Sequence, residues 1–114
     1  MRAKFIYEAM KDILKGRSLE EIMPHLEAMK PNEMLLKCSE IGFLPGVKIA
    51  LERGADVHAG GDLALRWASE QGHYNVVELL LKNGANVHAD DDGALQLASH
   101  RGHTDVVELL KKYM

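Results

Sequence analysis

Six histidines, one cysteine, four serines and a run of three aspartates are the residues of this 114-residue chain whose types support chemistry. Histidine and cysteine hold zinc when they converge on one centre about 2 Å away. The chain has neither Cys-x-x-Cys nor His-x-x-x-His. Asp90-Asp91-Asp92-Gly93 looks like the start of a calcium loop, which ends in a glutamate at its twelfth position. Counted from Asp90 that position is Arg101, so the match fails. Cys38 with a distant histidine would be a nucleophile pair. Ser18, Ser39, Ser69 and Ser99 lack the Gly-x-Ser-x-Gly setting, and there is no phosphate loop or dinucleotide fingerprint.

The spacing of these residues explains most of them. With Gly54–Asn83 set above Gly84–Tyr113, 18 of 30 positions are identical without a gap. Self-similarity at such a period marks a solenoid of stacked repeats. His58 and His88 are then one position, as are His73 and His103, and Ser39, Ser69 and Ser99 are another. Copies of one position sit on different repeats, and packed helices lie roughly 8–10 Å apart. That separation is too great for shared metal ligation. Cys38 falls where the later copies have Ala68 and Ala98, which marks a small core position. No catalytic residue, metal ligand or cofactor is expected. The rival class is a metal-dependent or enzymatic protein that uses the repeat histidines.

Each repeat reads as two helices. Inner helices are expected near 33–41, 63–71 and 93–101, and outer ones near 46–52, 75–82 and 105–113. Gly42, Gly72 and Gly102 end the inner helices, since glycine takes the left-handed stop without strain. Asp62 and Asp92 are expected to cap the inner helices that follow them. Asn32–Arg53 is a weaker first repeat in the same register, with Phe43-Leu44-Pro45-Gly46 replacing the Gly-His turn. Residues 1–31 do not follow the repeat. Ala3–Lys15 is amphipathic, Gly16 stops it, and Ser18 with Glu21 forms a capping box ahead of a second apolar segment kinked at Pro24. A helical pair sealing the open end of the stack is the natural reading, because terminal repeats must face water. The division is therefore a capping segment over 1–31 and repeats over 32–61, 62–91 and 92–114. Lys111 replaces the apolar Leu81 of the preceding copy, which predicts that the stack stops there and that the chain is complete.

The frame Ala64-Leu65-x-x-Ala68, Gly72-His73-x-x-Val76-Val77-x-Leu79-Leu80 and Gly84-Ala85-Asn86-Val87, with its copy thirty residues on, resembles the ankyrin repeat. The usual period is about 33 residues, so these repeats are shortened. Asp62-Leu-Ala-Leu-Arg66 and Asp92-Gly-Ala-Leu-Gln96 stand in place of the family's Thr-Pro-Leu-His. The missing residues fall where a β-hairpin would join repeats. The resemblance thus implies an all-α ankyrin-like solenoid of about three repeats, with little or no β-structure. Shortened repeats are similar to those of large DNA viruses and some intracellular bacteria. In the family the loops and inner helices form a concave binding surface, and the histidine of the Gly-His turn ties that turn to the backbone. His58 and His88 occupy a loop position usually taken by asparagine, which implies loop bracing.

The implied function is binding of another protein, with the chain acting as a small inhibitor or competitor of a host protein. Net charge is −3, with +1 over residues 1–31 and −4 over 32–114. A phosphate-binding surface needs the opposite sign, so nucleic acid is disfavoured and a partner with a basic surface favoured. No apolar run spans a membrane, and a lone cysteine gives no internal disulfide. A cytoplasmic monomer is expected, with self-association through the N-terminal helices as the alternative. Candidate partner-binding residues are His58, Asp62, Arg66, Glu70, His88, Asp90, Asp91, Asp92, Gln96, His100 and Arg101, on the loops and inner helices. Trp67 is read first as packing between repeats and second as a binding anchor.

Overall fold

The computed structural model describes residues 28–114. The N-terminal amphipathic helix, the Gly16 stop, the Ser18–Glu21 capping box and the Pro24 kink all lie outside the described residues. Six helices follow: α1 (Pro31–Ile41), α2 (Leu44–Glu52), α3 (Ala59–Gln71), α4 (Tyr74–Lys82), α5 (Ala89–His100) and α6 (Thr104–Lys112). No strand occurs among the described residues. The fold is an all-α stack of helix–turn–helix repeats, with α1, α3 and α5 as the inner layer and α2, α4 and α6 as the outer.

The inner helices pack on one another closely because the residues between them are small. Cys38, Ala68 and Ala98 are fully buried, as are Ser39 and Ser69. Leu35 and Leu65 fill the layer between inner and outer helices, with Val47, Val77 and Leu80 coming from the outer side. Burial pushes the Cys38 thiol up to about 12, so it stays a protonated core group.

Several boundaries move outward from those expected. Pro31, expected to close the preceding segment, instead opens α1, with Lys30 extended as its N-cap at φ −68° and ψ 145°. Proline is preorganised for a first helical turn, where its missing N–H has no intrahelical partner to lose. Outer helices begin at Leu44, Tyr74 and Thr104, one or two residues early.

Gly42 and Gly72 end α1 and α3 at φ 78° and 76°. Their second role is space. A Cβ on Gly42 would lie 2.5–2.8 Å from the His73 ring, and one on Gly72 2.6–2.9 Å from the His103 ring. Each ring belongs to the following repeat and reaches back over the glycine. Its Nε2 lies 3.0 Å from a carbonyl at the end of the earlier inner helix, Glu40 for His73 and Glu70 for His103. A carbonyl only accepts, so Nε2 carries the proton and donates. The ring thus satisfies a carbonyl near the helix end that would otherwise lack a partner.

The expected N-caps take another form. An N-cap residue needs extended backbone, whereas Asp62 and Asp92 are left-handed at φ 59° and 60°. Each is the last of three consecutive left-handed residues, Gly60-Gly61-Asp62 and Asp90-Asp91-Asp92. These triplets form one tight left-handed turn where a hairpin is missing. The regular part of each inner helix then starts at Leu63 and Gly93.

At the C-terminal end the same positions change environment. Leu81 is 5% exposed, while Lys111 is exposed. Ser69 is sealed and Ser99 is exposed. Among the described residues no helix is long and apolar enough to cross a membrane.

Candidate functional site

Two surfaces remain once stacking is accounted for: the loop edge and the exposed side of the inner helices. Most side chains expected at this site are occupied along the loop edge.

With repeats counted from their loops, a first ending at Arg53 and then 54–83 and 84–113, the edge is stitched by a chain of hydrogen bonds that crosses all three. The Asp56 backbone N–H donates to Asn32 Oδ1 at 2.7 Å, and the His58 N–H to Asp56 Oδ1 at 2.9 Å. His58 Nδ1 meets both Asp62 oxygens at 3.0 Å. Asp62 Oδ2 also accepts the Asn86 backbone N–H at 2.7 Å. The His88 N–H then donates to Asn86 Oδ1 at 3.0 Å, and His88 Nδ1 meets Asp92 Oδ1 at 2.7 Å. Asn32, Asp62 and Asp92 thus share one repeat position, and each holds a side-chain oxygen out toward where the next loop runs. The first two have a loop to hold. Asp92 has none among the described residues.

Burial follows this order. The Asp62 side chain is 5% exposed and that of Asp92 39% exposed. The His58 imidazole is pushed above its ordinary range, first by its hydrogen bond to Asp62 and then by the charges of Asp62 and Asp56, against an opposing desolvation.

Arg66 and Gln96 brace their own turns. Arg66 Nη2 donates to Gly60 O at 3.1 Å and Nε to Gly61 O at 3.3 Å. Its Nη1 reaches across to Asp90 Oδ2 at 3.2 Å, tying the second turn to the third. Gln96 Nε2 donates to Asp91 O at 2.7 Å. The two residues differ, yet each supplies N–H donors to the carbonyls of a left-handed turn. Such carbonyls lie outside any helical ladder and need partners.

On the inner-helix side Arg101 and Glu70 form a loose ion pair at 3.8 Å. His100 is exposed on α5, while Lys37, Trp67 and Leu97, one position in three repeats, are half-buried. Trp67 is therefore neither sealed in the stack nor free of it. Among the candidate residues, Asp91 and His100 keep side chains with no hydrogen-bond or ion-pair partner among the described residues. Sequence reasoning missed Asn32, Asp56 and Asn86 in the edge chain. Their signal was present, because the columns Asn32/Asp62/Asp92 and Asp56/Asn86 each preserve a side-chain oxygen. Among the described residues no three His, Cys, Asp or Glu side chains group to hold a metal.

Inner helices stacked through small residues, a Gly-His turn reaching back to the previous repeat and a chain-crossing loop edge define a helical repeat protein built for its surface. Residues 6–91 match the family model of ankyrin repeats, in three copies, and the chain belongs to the ankyrin repeat family. Ankyrin repeats are generally protein–protein interaction modules and generally without enzymatic activity. No curated protein matches the chain.

Proposed function

We propose that this protein binds another protein through its loops and inner helices, and that the third loop tip selects a partner with a basic surface. The supporting observation is Asp90-Asp91-Asp92 at φ 54–60°. The second repeat places Gly60 and Gly61 at the same two positions, where they take left-handed backbone without strain. An L-residue there costs about 1 kcal/mol or more, and aspartate is among the few that tolerate it. Charge has been placed where glycine is the more stable choice, and strain of that kind gathers at functional positions. Arg66 offsets Asp90 and His88 faces Asp92, which leaves Asp91 as the carboxylate held out to a partner.

Half-buried Trp67 and Leu97, with Arg101 and His100 beside them, extend the surface along the inner helices. Binding of this type occupies a partner's surface, which suits a small inhibitor or competitor of a host protein.

The test is a pull-down with wild type against a variant carrying Asp90→Asn, Asp91→Asn and Asp92→Asn. Asparagine keeps the tolerance for left-handed backbone and removes the charge. Loss of a partner from the variant, restored at low salt, is the expected result. Equal recovery by both proteins removes the acidic tip from the reading.

A further inference from the structure

The loop edge joins the second and third repeats differently from the first and second. Between the first pair the acceptor is an amide, Asn32 Oδ1, which receives the Asp56 N–H at 2.7 Å. The residue four before it, in the place of His58, is Ala28. Between the second pair the acceptor is the carboxylate of Asp62, 4% exposed, which receives the Asn86 N–H at the same 2.7 Å. Behind that carboxylate stands His58, with Nδ1 at 3.0 Å from both oxygens and a side chain 53% exposed. One imidazole that solvent protons reach thus controls the charge environment of a buried acceptor, and that acceptor holds the neighbouring repeat.

We propose that the contact between the second and third repeats is a pH-responsive strap, tight when His58 is protonated and slack when it is neutral, while the contact between the first and second is indifferent to pH. The Asp62 carboxylate facing a protonated ring is a paired ion, and a charged acceptor bonds a backbone N–H strongly. When His58 loses its proton the carboxylate keeps its hydrogen bond to the ring but is buried without a counter-charge, which is costly in a poorly solvated site. The strap then opens more readily, and with it the loop that carries Asn86 and the Asp90–Asp92 tip.

The charged groups on the surrounding elements are consistent with this. Asp56 in the preceding loop adds to the pull of Asp62 on His58. Arg66 on α3 is directed to Gly60 O, Gly61 O and Asp90 rather than to Asp62. Asp92 in the following loop is taken by His88. Asn32 and Asn86, the uncharged members of the edge, do not titrate. The strap operates whatever the surface binds.

The chain supplies its own controls. Asp62→Asn installs the acceptor of the first interface, and His58→Ala installs the residue that stands at position 28. The measurement is amide hydrogen exchange by NMR, corrected for intrinsic rates, between about pH 5.5 and about pH 8, the range in which histidine titrates. The Asn86 amide is expected to lose protection several-fold as pH rises through the His58 titration, with the Asp56 amide unchanged. In His58→Ala the Asn86 protection becomes independent of pH. In Asp62→Asn the ring titrates at lower pH than in wild type. Constant Asn86 protection across the wild-type His58 titration overturns the proposal without recourse to any variant. So does a pH dependence that survives His58→Ala.

Discussion

The second and third repeats share 18 of 30 residues, yet identical residues in them lead different lives. Asp62 is buried and holds the next loop, while Asp92 is partly exposed and holds only His88. Gly72 lies under the His103 ring, while a Cβ on Gly102 would meet nothing within 4 Å. Ser69 is sealed and its copy Ser99 is exposed. In a stack each repeat contacts only its neighbours, so the part a residue plays is set by whether a neighbour is there. The loops show the converse. Gly60-Gly61-Asp62 and Asp90-Asp91-Asp92 differ in sequence and share one backbone. Shape is thus imposed by the repeat, and cost and charge by the residue.

The sharpest way to break this comparison is at the paired glycines. Gly72→Ala adds left-handed strain and forces a Cβ into the His103 ring, for a loss of about 3 kcal/mol. Gly102→Ala keeps the strain at φ 78° without the clash, for about 1 kcal/mol. Urea denaturation of the two variants measures the gap, and equal losses would mean that the ring moves aside freely.

Next in size is the aspartate pair. Asp62→Gly fits the backbone but strands the Asn86 N–H and the His58 ring, costing about 1–3 kcal/mol. Asp92→Gly loses one exposed contact and relieves strain, so its stability stays within about 0.5 kcal/mol of wild type. Similar losses in both would count against the strap.

A smaller effect of opposite sign is expected in the turns themselves. Asp91→Gly installs the residue of the second repeat at a strained position and raises stability by about 0.5 kcal/mol, once glycine's unfolded-state entropy is set against the relief of strain. Gly61→Asp lowers it by a similar amount. Thermal unfolding of the reciprocal pair tests whether the two turns are interchangeable.

The smallest effect is that of pH. The His58 pKa is raised in the folded chain. Its stabilisation is therefore fully present below its unfolded value near 6.5 and is lost as pH rises through the folded value. The urea midpoint of wild type should fall over that window relative to His58→Ala. Superimposable pH profiles would show that the pair contributes nothing to folding.

The architecture was legible because periodic glycines and small residues have a single explanation in a stack. Gly42 and Gly72 announce helix stops, and Cys38, Ala68 and Ala98 announce close packing. The turns were harder to read. A run of aspartates before a helix suggests an N-cap, since Asp is a common capping residue. The better signal was the column of Gly60 over Asp90 and Gly61 over Asp91, two residue types that share tolerance for positive φ. Arg66 and Gln96 differ in type, yet each brings an N–H donor to the equivalent turn carbonyl, Gly61 O and Asp91 O. The tie of Asp62 to the Asn86 N–H spans twenty-four residues, a separation that local patterning does not register.

The inner helices are pinned to one another at both ends, by the loop-edge chain near their starts and by the histidine rings at their finishes. The outer helices approach one another less closely. Shallow grooves of about 320 Å³ between α2 and α4 and about 400 Å³ between α4 and α6 separate them. The stack is therefore a book sewn along one edge. Its pages are held in register at the spine, which fixes the spacing of the residues displayed along the inner face.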